Sequence, residues 1–230
     1  MNLIAHRVRK TVSIASMPFR LPFVPRRPTP EKIIHFALSN YGIRSAQIES
    51  ELLAFAKFVR DLKPKMVMEI GTCNGGTLLV LCRMADPEAT IISVDLPHWM
   101  GGKYGGGYRS FQVPILRMFP TGRQTLHLLQ TDSHRVETRE RVSSLLGARK
   151  LDLLFIDGDH TYAGVRTDFQ LYSPFVRKGG IVAFHDIALH PQEAGCEVDK
   201  LWNEVKNQYR WSEIIENPNQ GWAGIGTITM

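Results

Sequence analysis

Five short apolar runs in this chain lead into a carboxylate, a histidine or a glycine, and those side chains are the ones that could do chemistry. They are Glu69 and Gly71 after the first run, Asp95 after the second, Asp132 and Ser133 after the third, Asp157 and His160 after the fourth, and His185 with Asp186 after the fifth. Two carboxylates and an imidazole can hold a divalent cation, and an imidazole with an ordinary pKa near 6.5 can accept a proton at physiological pH. An acid at the end of a second strand can accept hydrogen bonds from both hydroxyls of a ribose. A glycine-rich turn into a helix offers backbone N–H groups to an anion such as a carboxylate. All of this depends on whether the chain brings the five ends together.

The elements that would do so are legible in the hydrophobic pattern. The runs Met66 to Ile70, Thr90 to Leu96, Thr125 to Gln130, Leu151 to Ile156 and Gly180 to Phe184 are apolar on both faces. They alternate with helix-length stretches near Gly76 to Met84, Phe111 to Phe119, Val136 to Leu146, Val165 to Val176 and Val198 to Tyr209. Strands buried on both faces and joined by helices imply a parallel sheet covered on both sides. The expected fold class is therefore α/β, a Rossmann-like, doubly wound, mostly parallel seven-stranded sheet. Its C-terminal strand is antiparallel, because Trp211 to Glu216 and Ala223 to Met230 flank the turn-rich Asn217-Pro218-Asn219-Gln220-Gly221 and read as a closing hairpin. Upstream, Ile48, Leu52, Phe55, Val59 and Leu62 recur at helical spacing and Pro64 ends the helix. Pro18, Pro22, Pro25, Pro28 and Pro30 make the preceding segment a linker. Three regions follow: a basic, flexible arm over 1–30, N-terminal helices over 31–64 serving as lid or interface, and a ligand-binding domain over 65–230.

In open α/β sheets ligands sit beyond the carboxyl ends of the strands. The loop Glu69-Ile70-Gly71-Thr72-Cys73-Asn74-Gly75-Gly76-Thr77 occupies that place after the first strand. A dinucleotide site asks for G-x-G-x-x-G, and Cys73 stands where its second glycine would be. Glu69 would repel a diphosphate but suits an ammonium group. This loop resembles the first motif of class I S-adenosylmethionine-dependent methyltransferases. The resemblance implies cofactor contacts from Glu69, Gly71, Thr72, Asn74 and Gly75, from Asp95 to the ribose, from Asp132 and Ser133 to the adenine edge, and from Asp157.

The segments Leu151 to Tyr162, containing Asp157-Gly158-Asp159-His160, and Lys178 to Asp186 are similar to the sugar- and macrolide-modifying O-methyltransferases, including proteins of the cephalosporin-hydroxylase-like branch, and more distantly to catechol O-methyltransferases. The similarity spans Met66 to Met230. It implies O-methylation of a hydroxyl on a sugar, glycolipid or other natural product, with a divalent metal on Asp157, His185 and Asp186. His185 departs from an all-oxygen magnesium set and leaves manganese, iron or no metal open. His160, with Asp157, is the candidate catalytic pair, His160 taking the hydroxyl proton. The alternative is structural: Asp157 and Asp186 bond loop amides or cap a helix, and His160 only orients them. A nicotinamide-dependent oxidoreductase and a non-catalytic binding protein of the same fold are the competing functions.

Composition bounds the partners. The formal net charge is +6, and residues 1–30 account for it, with Arg7, Arg9, Lys10, Arg20, Arg26 and Arg27 and no acid. The rest of the chain is balanced, so no nucleic-acid partner is expected, and the arm is open to contact with a membrane surface. A small-molecule or glycoside acceptor and a homo-oligomer are the other expected partners. Cys73, Cys82 and Cys196 make an odd set without paired spacing, which fits a reducing cytoplasm. The stretch from His98 to Arg109 holds five glycines among three aromatics and reads as a flap over the cleft.

Overall fold

The parallel core is ordered by the apolar runs themselves. The computed structural model describes residues 12, 13, 15–40, 42–100 and 107–230. Among these, seven strands form one sheet in the order β3-β2-β1-β4-β5-β7-β6. They are β1 (Met66–Ile70), β2 (Thr90–Asp95), β3 (Thr125–Gln130), β4 (Leu151–Ile156), β5 (Val176–His185), β6 (Arg210–Ile214) and β7 (Ile225–Thr229). The first five are mutually parallel, and β7 runs antiparallel to both β5 and β6, closing the edge as the turn-rich hairpin requires.

Each inner strand is buried on both faces because each face meets helices. From β1, Val67 enters one apolar cluster with α1 (Pro30–Ser39), α2 (Glu49–Leu62) and α3 (Gly76–Met84). Met66, Met68 and Ile70 enter the other, with α5 (Val136–Leu146), α6 (Tyr162–Tyr172) and α7 (Val198–Val205). Strand order reverses between β1 and β4, and a reversal of this kind opens a crevice at the carboxyl ends.

Three expectations from periodicity need correction. The fifth strand begins at Val176 rather than Gly180, and its pairing with β4 slips between Leu151 and Leu153, so its polar first half hides the strand from a hydrophobicity count. The helix expected over Phe111 to Phe119 reduces to a 3-10 turn, Ser110–Gln112, and the single turn α4 (Val113–Leu116), with a proline in its first turn. The helix read as Val165 to Val176 starts earlier, at Tyr162, because Thr161 accepts the Gly164 N–H as its N-cap, and a proline-containing 3-10 turn replaces its last residues.

The proline-punctuated segment is also less detached than a linker. Residues 15–20 are helical, Leu21–Phe23 form a 3-10 turn, and Met17 and Leu21 are buried in the same cluster as α1 and α2. Pro22 and Pro30 fall in the first turns of their elements, where the missing N–H costs nothing, while Pro18 stands within the 15–20 helix. Arg7, Arg9 and Lys10 lie outside the described residues, as does 101–106, which carries most of the glycine-rich flap.

Candidate active site

The cleft at the strand reversal depends on how closely the β1 and β4 loops approach each other. Gly71 adopts φ +91°, and a Cβ there would lie 1.8 Å from the Asp157 carbonyl oxygen, so only glycine lets the two loops touch. The Asp157 N–H donates to the Ile70 carbonyl (2.8 Å) and the Gly71 N–H to the Val94 carbonyl (2.9 Å), extending the sheet one residue into the site.

Around this junction lies a cleft of about 510 Å³. Its walls include Gly71, Thr72 and Asn74, Asp95 from β2, Asp132 and Ser133 after β3, and Asp157, His160, His185 and Asp186 after β4 and β5. The sheet thus assembles most of the residues singled out from the sequence. Two of them do not line the cleft. Gly75 (φ +92°) caps α3 and packs against Leu116 and Phe119. Glu69 is fully buried, reached by the Ser93 hydroxyl at 3.4 Å, with its other oxygen unpaired. Burial, with the fields of Asp157 and Asp95, pushes its carboxyl well above the usual range. Beneath the loop Glu69 lies beside Thr72 and Ser93, which hydrogen-bond each other, and it does not reach the cleft wall.

Asp95 organises the glycine loop. Its Oδ2 accepts the Thr72 and Cys73 N–H groups at 2.9 and 2.6 Å, and Oδ1 accepts the Leu96 N–H at 2.7 Å. Burial nonetheless raises its pKa. Oδ2 spends both of its lone pairs on these two N–H groups, while Oδ1 keeps one with which the carboxylate can still accept a ribose hydroxyl. The same bonds consume loop donors that a diphosphate would need, which argues against a dinucleotide independently of the glycine spacing. Asp132 Oδ1 accepts the His134 N–H (2.9 Å), while the Ser133 carbonyl accepts the Tyr172 hydroxyl (2.6 Å).

At the far end four titratable groups converge. His185 is buried, with Nδ1 3.2 Å from Asp157 Oδ1 and 3.3 Å from Asp186 Oδ2. Neither of its ring nitrogens finds a hydrogen bond of acceptable geometry. Nitrogens without hydrogen bonds beside two carboxylate oxygens suit a shared cation, and the ligand atoms of Asp157, His185 and Asp186 lie within 4.8 Å of one another. Burial opposes protonation of His185, but the two carboxylates outweigh it and raise the imidazole well above its ordinary value. The residues therefore fit a mixed nitrogen and oxygen site better than the all-oxygen shell of magnesium.

His160 bridges the same pair, Nε2 3.5 Å from Asp157 Oδ1 and Nδ1 3.5 Å from Asp186 Oδ2, with its side chain 29% exposed to the cleft. Burial again works against protonation and is overcome by Asp157 and Asp186, so its pKa lies above 6.5. That corrects the expectation of an unperturbed imidazole, which took no account of two nearby carboxylates. The structural alternative for the aspartates holds in one half. Asp186 Oδ1 accepts the Ala223 N–H (3.1 Å), but the cap of α6 is Thr161, not Asp157.

The cleft has contributors that sequence reasoning missed. Arg44, Ser45 and Ala46 form one wall, fixed by Ser45 and Gln47, which both hydrogen-bond Thr77 at 3.1 Å. Part of the 31–64 region thus lines the cleft. Buried Glu51 of α2 accepts N–H groups from Glu216, Gln220 and Gly224 and so anchors the loop that holds Asp186. No local motif announces these residues, although a buried acid at a helix start is a signal that the helical spacing obscured. Among the described residues, no helix is long and apolar enough to cross a membrane.

A methyltransferase domain family model matches residues 68–187. An uncharacterized protein of Sinorhizobium fredii is 27% identical over 154 residues, covering 64% of this chain and 16% of its own length. The chain spans about one-sixth of the length of the curated relatives it matches. Among solved structures, an O-methyltransferase from Bacillus cereus in complex with S-adenosylhomocysteine superposes with a TM-score of 0.59 at 11% identity, over 90% of this chain and 93% of that one. The methyltransferase MycE of the mycinamycin biosynthetic pathway, in complex with magnesium and S-adenosylhomocysteine, gives 0.54 at 18% identity, over 88% of this chain and 55% of that one.

Proposed function

Because this chain belongs to the methyltransferase domain family, we propose that it transfers a methyl group from S-adenosylmethionine to a hydroxyl of a sugar, glycolipid or other natural product. The observation that carries this reading is the convergence of Asp157, His160, His185 and Asp186 at one end of a cleft whose other walls are Gly71, Asp95 and Asp132. Methyl transfer needs mainly that two substrates be held in line, so a slot with a nucleoside end and a proton-handling end is the required form.

In this reading the Asp95 carboxylate receives the ribose hydroxyls, Asp132 and Ser133 face the base, and Thr72 and Asn74 border the amino-acid end. Asp157, His185 and Asp186 would hold a divalent cation, with manganese suiting the mixed ligand set and magnesium being the ion of the MycE complex. Such an ion, when bound, stabilises the negative charge that develops on the acceptor oxygen. It would also cancel part of the carboxylate field on His160 and lower that imidazole's proton affinity. His160 then takes the hydroxyl proton as the oxygen's electron pair bonds to the methyl carbon and the carbon–sulfur pair returns to sulfur. The proton leaves through the exposed side of the ring. Free cysteines at positions 73, 82 and 196 agree with a reducing cytoplasm as the place of action.

The test is transfer of labelled methyl groups to a panel of sugar and glycoside acceptors, with manganese, with magnesium and with chelator, alongside calorimetry of S-adenosylhomocysteine binding. Folded protein that releases no heat with that nucleoside would overturn the proposal. Metal-independent turnover would remove only the cation from it.

A further inference from the structure

Beside the proton-handling cluster the β5–α7 connection brings in a sulfur ligand. The ligand atoms of His160, Asp186 and Cys196 lie within 4.8 Å of one another, with Asp186 buried and the other two half-buried. His190, at the start of the same loop, holds two of them. Its Nδ1 bonds the Ala188 carbonyl at 2.7 Å, its Nε2 lies 3.3 Å from Asp186 Oδ1, and its side chain also hydrogen-bonds Cys196. A ring nitrogen fixed on a backbone carbonyl while its partner orients metal-binding side chains is the usual outer layer of a metal site.

We propose that His160, Asp186 and Cys196 form a second metal site, distinct from the Asp157, His185 and Asp186 triad, that takes a thiophilic divalent cation such as zinc and shuts the enzyme off. Ligand chemistry separates the two sets. One imidazole, one carboxylate and one thiolate make a tetrahedral zinc shell with a fourth position open, whereas magnesium avoids sulfur. As the ion binds, the Cys196 thiol gives its proton to solvent and a sulfur–metal bond forms.

Both sets draw on Asp186, whose Oδ2 lies 3.5 Å from His160 Nδ1 and 3.3 Å from His185 Nδ1. Filling the sulfur site therefore takes a shared carboxylate from the first triad and the lone pair from His160. The inhibition, though not the binding, rests on the proposed role of His160 as base.

Cadmium is the probe for binding, because a cadmium–thiolate bond has a charge-transfer band in the ultraviolet. Titrated into the purified full chain, cadmium is expected to give this band with one equivalent bound. The band survives in Cys73→Ser and in Asp157→Asn and disappears in Cys196→Ser. Zinc is expected to inhibit methyl transfer by the wild type, whereas Cys196→Ser keeps basal activity and needs about 100-fold more zinc for the same inhibition, as loss of a ligand implies. Absence of the band in folded wild type, or a band that persists in Cys196→Ser, overturns the site. Equal zinc sensitivity in the two proteins overturns the inhibitory role. An intact Cys196-dependent band in protein that never transfers methyl groups supports the site and counts against the methyltransferase reading alone.

Discussion

Substituting alanine for Gly71 tests whether contact between the β1 and β4 loops is what forms the nucleoside end of the cleft. Two costs are separable. The first is conformational, since φ +91° is a region that side-chain-bearing residues rarely occupy, at about 1–3 kcal/mol. The second is steric. The new Cβ would lie 1.8 Å from the Asp157 carbonyl oxygen, so the loops must part by roughly 1.5 Å to restore an ordinary contact, and a misplacement of about 1 Å can cost a factor of ~100. Gly147, which follows α5, is the matched control, because it has φ +59° but nothing within 4 Å of an added Cβ. Both variants are expected to lose a few degrees in thermal unfolding, at roughly 2–4 °C per kcal/mol for a chain of this size. In calorimetry, only Gly71→Ala is expected to bind S-adenosylhomocysteine about 100-fold more weakly. Wild-type affinity in Gly71→Ala, or equal loss in both variants, would refute the reasoning.

Three further outcomes are expected. His160→Ala should lower kcat by about 10²–10⁴ while leaving the calorimetric affinity for S-adenosylhomocysteine unchanged, because the proposed mechanism gives the imidazole a proton to handle rather than the cofactor. Glu51→Ala removes the acceptor of the buried Gly224 N–H and of the half-buried Glu216 and Gln220 donors, the last of which keeps the Trp222 carbonyl, and should cost about 1–3 kcal/mol in denaturant unfolding. Glu69→Gln should leave stability nearly unchanged at pH 4, where both the native and the unfolded wild-type carboxyl are protonated. The folded pKa of Glu69 lies well above its unfolded value near 4.5, so the wild type alone loses stability as pH rises from there toward the folded pKa. At pH 7 Glu69→Gln is therefore expected to be the more stable protein, and chemical denaturation at the two pH values decides it.

The parts of this molecule that were legible in its sequence are those governed by short-range pattern. Runs such as Leu151–Ile156 and Thr90–Asp95 are apolar on both faces and bounded by polar residues, so their strand character, parallel pairing and site-bearing ends could be read directly. Asp95, Asp132, Asp157 and Asp186 follow from that geometry and do meet at one cleft. Glu69 does not line the cleft because strand alternation aims it into the layer beneath the loop, a matter of facing that two residues of offset from Gly71 do not reveal. The Gly180 start of β5 failed because the exposed Arg177-Lys178-Gly179 interrupts the apolar run just before it. Arg44 and Glu51 were invisible as site residues because their roles depend on tertiary contacts spanning from 30 to 173 residues of sequence separation.

Those long contacts divide the labour within the cleft. The end of the cleft proposed to hold the nucleoside is set by parallel neighbours β1, β2 and β4, whose loops interlock through Gly71, Asp95 and Asp157. The end proposed to handle the proton depends on the antiparallel edge. Asp186 leaves β5 at φ +62° and is held through Oδ1 by the Ala223 N–H, while Ala188 donates to the Ala223 carbonyl at 2.9 Å. The next residue, Gly224, donates to Glu51 Oε2 at 2.9 Å, so α2 at the other end of the chain fixes the loop on which Asp186 rests. A carboxylate in a left-handed backbone conformation needs such external support. Loosening Glu51 or the 217–224 turn should therefore move Asp186 relative to Asp157 and His160 and reduce turnover, while leaving the Gly71 and Asp95 contacts, and with them nucleoside affinity, in place.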